Sequence, residues 1–83
     1  MNFIANVRIM PHKVLLDPQG KAVLLGLQNL GVSTITDVRI GKNVVLYITA
    51  GSEAEAHAHT QKACSELLAN PIMEFFEYDL LPA

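Results

Sequence analysis

Only one cysteine, Cys64, occurs in the 83 residues, so no intramolecular disulfide can staple this short chain, and a reducing compartment, the cytoplasm, is its expected setting. Stability must come from packing. No stretch approaches the roughly 20 apolar residues of a membrane-spanning helix, and the opening MNFIANVRIM lacks a basic segment ahead of its apolar residues, so no secretory signal is predicted. Charge is scarce too. With 17% charged residues, a net charge of −2 and six basic residues spread singly from Arg8 to Lys62, no patch could track a phosphate backbone. Neither nucleic acid nor membrane is an expected partner. The sequence also has no Walker loop, no G-x-G-x-x-G and no RNP1 motif.

What it does have is apolar surface to spare, 51% hydrophobic residues in a chain short enough to bury only about 60% of its unfolded surface. Some of those side chains must stay outside, and self-association is the usual remedy.

Phe3, Ala5, Val7 and Ile9 alternate with Asn2, Ile4, Asn6 and Arg8, the period-2 pattern of a strand with one buried face, and Pro11 ends it. In LLDPQGKAV, Asp17 is a good N-cap and Pro18 suits the first helical position. Val23, Leu27 and Leu30 then share a stripe opposite Lys21 and Gln28, closed by Gly31 in the left-handed conformation. Gly20 does not fit. At the third helical position a glycine costs about 1 kcal/mol relative to alanine, so either it is merely tolerated there or its missing side chain lets another subunit's backbone approach.

STITDVRIGKNVVLYITA reads as two strands around Gly41, Lys42 and Asn43. A three-residue loop with Asn43 in the left-handed region keeps Val38, Ile40, Val44, Leu46 and Ile48 on one face, and leaves Asp37, Arg39, Val45 and Tyr47 on the other. A second helix starts at a capping box formed by Ser52 and Glu55, carries a stripe of Ala56, Thr60, Ala63, Cys64 and Leu67, and stops at Asn70 and Pro71. The final run, IMEFFEYDLL, predicts a strand with Ile72, Phe76, Tyr78 and Leu80 on one face and Met73 and Phe75 on the other. The order βαββαβ predicts one α+β domain over residues 1–83, an antiparallel sheet with two helices on one face, ferredoxin-like in outline. Its open face would carry Met10 together with Ile4, Val45, Tyr47, Met73 and Phe75, the last five being candidates for self-association.

Catalytic candidates are weak. His57 and His59, at i and i+2 on a helix, point about 200° apart and cannot converge on a metal, and His12 is distant. Cys64 lies on an apolar stripe and reads as a small buried hydrophobe. Glu53 and Glu55 complement a helix N-terminus, and Glu66 stands alone. No catalytic residue and no metal site are predicted. Two motifs stay unabsorbed by local structure, DPQG and DVRIGK, and they point to contact: Asp17, Pro18, Gly20, Arg39, Gly41 and Lys42 are the candidates to touch a partner, with Asp37 in the same motif.

VLLDPQGKAV, DVRIGK and LLANPIMEFFEYDL, in this order and spacing, resemble the PurS family, the small subunit of phosphoribosylformylglycinamidine synthase. The resemblance covers residues 8–80. It implies a non-catalytic scaffold in de novo purine synthesis that associates with itself and bridges a PurQ-type glutaminase and a PurL-type synthase. The implied reaction converts formylglycinamide ribonucleotide, glutamine and ATP to the amidine, glutamate, ADP and phosphate. ATP and magnesium would then sit on the large partner, with no cofactor on this chain. The rival reading is a small-ligand regulatory domain of ACT or PII type, in which Gly20 would border an effector site.

Overall fold

The α+β class, the antiparallel sheet and the two helices are all present in the computed structural model, which describes all 83 residues. Strand β1 (Asn2–Pro11) leads to helix α1 (Pro18–Asn29), strand β2 (Lys42–Thr49), helix α2 (Glu53–Ala63) and strand β3 (Glu74–Pro82). The sheet has three strands in the order β2-β1-β3, both pairs antiparallel. Its register places Ala5 between Leu46 and Leu80, and Ile4 between Tyr47 and Leu81.

The expected fourth strand is missing. Residues 32–41 pair with no strand, so there is no hairpin at Gly41, and Asn43 does not adopt a positive φ. The predicted faces that combined Val38 and Ile40 with Val44, and Asp37 and Arg39 with Val45, therefore do not form within the chain. A strand needs a neighbour on which to satisfy its backbone, and this segment has none here.

Helix α2 covers the sheet. Ala56, Thr60 and Cys64 are buried, and their small size lets the helix lie close on Phe3, Ala5, Val7 and Ile9, the inward set of β1. Thr60 belongs in that core because its hydroxyl donates to the Ala56 carbonyl at 2.7 Å. After Ala63 the helix widens into a π turn, Cys64–Leu68, in which the Ala69 N–H reaches back five residues to the Cys64 carbonyl. The extra residue rotates the stripe. Leu67, expected inside, is 82% exposed, while Leu68 and Ala69 take its place against the core. Burial also pushes the Cys64 thiol above its ordinary pKa, as befits a packing residue.

Ser52 caps α2 by accepting from the Glu55 N–H at 3.1 Å, and Glu55 reaches back to the N–H of Gly51, one residue earlier than a capping box predicts. Ile72, expected on β3, lies in the preceding turn and is exposed, because the strand begins only at Glu74. From Phe75 onward the predicted alternation holds, with Phe76, Tyr78 and Leu80 packed on the core side.

Helix α1 behaves differently. Gly31 ends it with φ of 84°, as expected, but only Gly20 is buried along its length. Of its predicted stripe Leu27 is only half-buried, and Val23 and Leu30 are exposed, Leu30 by 79%. The radius of gyration is 16.4 Å, against roughly 12 Å for a compact chain of this length.

Candidate functional site

The two unabsorbed motifs meet at one end of the sheet. Asp17 caps α1 by accepting from the Gly20 N–H at 2.9 Å through one carboxylate oxygen, and from the Ile40 N–H at 2.8 Å through the other. One side chain thereby fastens the helix start to the strand-free segment. The Ile40 bond, then the Gly20 bond, hold the Asp17 carboxyl below its ordinary pKa of 3.8; partial desolvation opposes them and the charge of Arg39 assists.

A carboxyl with a depressed folded pKa contributes stability that is present above its unfolded value and is lost as pH falls through the folded one. Asp17→Asn should therefore melt below the parent at neutral pH, and the gap in Tm should narrow once the pH drops below 3.8. A gap that stayed constant to acid would show that the charge of Asp17 does not act through these bonds.

Arg39 closes the other side. Its guanidinium donates to the carbonyls of His12 at 2.7 Å and Leu15 at 3.1 Å, with longer contacts to Lys13 and Pro11. The planar fork of donors suits such a ring of carbonyls, so the charge serves to shape the loop between β1 and α1. Gly20 and Gly41 have no room for a side chain. A Cβ on Gly20 would run into the Val38 carbonyl, and one on Gly41 would strike the Ile9 carbonyl and the Met10 side chain.

Gly20 is thus neither merely tolerated nor left open for another subunit's backbone: the backbone that approaches it is the chain's own. The same carbonyl fills the space that an effector beside Gly20 would have used. Lys42 pairs with Glu74 at 3.5 Å, joining the starts of β2 and β3, while Pro18 occupies the first helical position and is exposed. Asp37 is exposed and accepts only from the adjacent Val38 N–H. Asp17, Pro18, Gly41, Lys42 and Glu74 line a shallow open depression of about 390 Å³.

No three His, Cys, Asp or Glu side chains gather as metal ligands. His57 contacts the Tyr78 hydroxyl at 3.2 Å and Glu53 at 3.7 Å, and Cys64 is sealed in the core. The sequence profile of the PurS family, described as phosphoribosylformylglycinamidine (FGAM) synthase, matches residues 4–82. The chain belongs to the PurS family.

Phosphoribosylformylglycinamidine synthase subunit PurS of Synechocystis is 42% identical over 65 residues, 78% of this chain and 65% of the relative, just under two thirds of its length. Among solved structures, a chain of PurLQS from Thermotoga maritima superposes with a TM-score of 0.90 at 27% identity, covering 98% of this chain and 99% of that one. PurS of Methanocaldococcus jannaschii, described as one of the subunits of formylglycinamide ribonucleotide amidotransferase, superposes with a TM-score of 0.85 at 26% identity, with 98% of both chains covered.

The second predicted surface of this PurS chain is the sheet face opposite α2. Ile4, Tyr47 and Leu81 adjoin at one end, Val45 sits beside Asn6, and Met10 faces Phe75 at the other end. Met73 is not on it, since it lies in the turn before β3, where its carbonyl accepts from the His12 N–H at 2.9 Å. The face is also less apolar than predicted. In its middle Arg8 pairs with Asp79 at 3.0 Å and Glu77 at 3.7 Å, a cluster that strict alternation along β1 and β3 would have placed there.

Proposed function

We propose that this chain is the non-catalytic small subunit of phosphoribosylformylglycinamidine synthase in purine biosynthesis, bridging a PurQ-type glutaminase and a PurL-type synthase in the cytoplasm. The likeness along nearly the whole chain to a PurLQS chain carries this reading. The local chemistry supports it, because the polar groups of the two motifs are engaged within the chain: Asp17 and Arg39 hold backbone, and Lys42 pairs with Glu74. These groups build a rigid end to the sheet. That end, with Pro18 at its rim, is the proposed contact with the catalytic subunits, while ATP and magnesium belong to the large one.

In the reaction, ammonia released from glutamine replaces the glycinamide carbonyl oxygen of formylglycinamide ribonucleotide after ATP has activated that oxygen, which leaves with phosphate, and the formyl group is retained. Glutamate and ADP are the other products. The chain's part is to keep the ammonia-releasing and ammonia-using subunits together. Mixing the purified PurL- and PurQ-type subunits with and without this chain tests it. Glutamine-dependent turnover should fall to background when the chain is omitted, while turnover with ammonium persists. Full glutamine-dependent activity without the chain would overturn the scaffold role.

Self-association belongs to the same reading. It is supported by the unpartnered apolar residues of α1, the extended shape and the apolar ends of the open sheet face.

A further inference from the structure

The loop between β1 and α1 is fastened from within, yet it holds its apolar side chains out in water. The Leu15 N–H donates to the His12 carbonyl at 3.0 Å, and the Arg39 guanidinium gathers the carbonyls of His12 and Leu15. Between and beyond those fixed points, Val14 is 92% and Leu16 70% exposed.

The turn before β3 repeats the arrangement. The Asn70 carbonyl accepts from the N–H groups of Met73 and Glu74, its side chain accepts from the Ile72 N–H at 3.1 Å, and its own N–H donates to the Glu74 carboxylate at 2.8 Å. Ile72, in the middle of that turn, is 83% exposed. His12 joins the two loops, because its N–H donates to the Met73 carbonyl at 2.9 Å and its ring lies against Phe75 with centroids 5.9 Å apart. On a slack loop an aliphatic side chain turns back onto the core. Here the bonds beneath Val14, Leu16 and Ile72 keep them outside, at the end of the sheet where the two motifs meet.

The charges beside the first loop have a sign. Asp17 and Arg39 are committed to backbone groups, whereas Lys13 and Lys21 are exposed and enter no ion pair. Against these two cations stands one exposed carboxylate, Asp37, which lines the same depression of about 340 Å³ as Val14, Leu16 and Lys21. The loop is locally positive in a chain whose net charge is −2.

We propose that Val14, Leu16 and Ile72 are the apolar anchors by which this chain seats on a catalytic subunit, in an apolar pocket with an acidic rim. This names the side chains and the partner chemistry of the contact proposed above and rests on that reading. A two-fold contact centred here would set the patch against itself and bring Lys13 and Lys21 of two copies together, so a second copy is not the occupant. Carboxylates around the pocket would pair with both lysines and steer the encounter. Arg39 is then a positioning residue. Its fork shapes the loop before docking, so little freedom is lost when the anchors enter the pocket.

Titrating this chain against fixed amounts of the purified PurL- and PurQ-type subunits, with glutamine-dependent turnover as the readout, tests the proposal beside melting and sedimentation of the chain alone. Val14→Asp and Ile72→Asp change side chains that lie in water, so the Tm and the sedimentation of the isolated chain should stay at the parental values. The concentration giving half-maximal turnover should rise by more than about tenfold, as for the loss of an interface hot spot. Val14→Ile keeps an apolar anchor and should assemble like the parent. Lys13→Glu with Lys21→Glu should also weaken assembly, by a factor that shrinks in high salt. If both aspartate variants support turnover at the parental concentration, the anchors lie elsewhere and the scaffold reading stands. If they instead break up an oligomer of the isolated chain, the patch belongs to self-association and this proposal falls. If the parent itself fails to restore turnover, the scaffold reading falls and takes this contact with it.

Discussion

Ile9→Ala is expected to cost this chain about 2–5 kcal/mol, the usual loss when a large aliphatic side chain is removed from a core. Ile9 is 1% exposed and is the largest of the fully buried side chains, in a cluster whose other members are Ala5, Val7, Cys64 and Ala69. Its buried neighbours are too small to fill the space it leaves, and Phe76, opposite it on β3, is held in place by strand pairing. Because domains of this kind rest on only about 5–15 kcal/mol, and short ones toward the lower end, a loss of this size should unfold a sizeable fraction of molecules.

Leu67→Ala provides the contrast. Its side chain is turned out by the π turn, so within the isolated chain its removal should change stability by no more than about 0.5 kcal/mol. Urea unfolding at one fixed protein concentration measures both, which matters because association would make the midpoint concentration-dependent. Equal midpoints for the two variants would mean that the stabilising core lies between chains and not under α2.

The elements that could be read from sequence are those whose stabilising partners are local or strictly periodic. Asp17 and Pro18 start α1, Ser52 starts α2 and Gly31 ends α1, each through contacts only a few residues long. The inward faces of β1 and β3 follow from alternation alone. Elsewhere the determining contact is not in the local sequence. Residues 33–40 have strand chemistry, but pairing depends on a neighbour, which sequence pattern does not supply. Leu67 was placed inside by a 3.6-residue period that the π turn breaks.

The site followed the same division. DPQG and DVRIGK stood out because helix and turn rules did not absorb them, and they do converge on one end of the sheet. That Asp17 would reach Ile40, or Arg39 the carbonyls of residues 12 and 15, depends on how the chain returns after α1. Those are tertiary facts, and a spacing of over twenty residues does not encode them.

Gly20→Ala should destabilise the chain by about 1–3 kcal/mol, the cost of forcing a methyl group into a packed position. A glycine in the first turns of a helix ordinarily behaves in the opposite way: alanine there restricts the unfolded chain and stabilises by about 0.4–1 kcal/mol. Gly26, in the same helix, meets nothing within 4 Å of an added Cβ, and Gly26→Ala should show that ordinary gain. At Gly20 the new methyl group would overlap the Val38 carbonyl and crowd the Asp17 carboxylate. Relief requires the Val38 backbone to move away, and Ile40, two residues on, would then lose its bond to Asp17. The damage therefore extends beyond the clash, because it loosens the one side chain that joins both motifs. Thermal melts of the two alanine variants beside the parent read the difference directly, with Gly26→Ala above the parent and Gly20→Ala below it. If both variants melted above the parent, the approach of Val38 to α1 would be too loose to require a glycine. If Gly20→Ala alone melted lower and also failed to restore glutamine-dependent turnover with the catalytic subunits, the rigid end of the sheet would be tied to assembly as well as to folding.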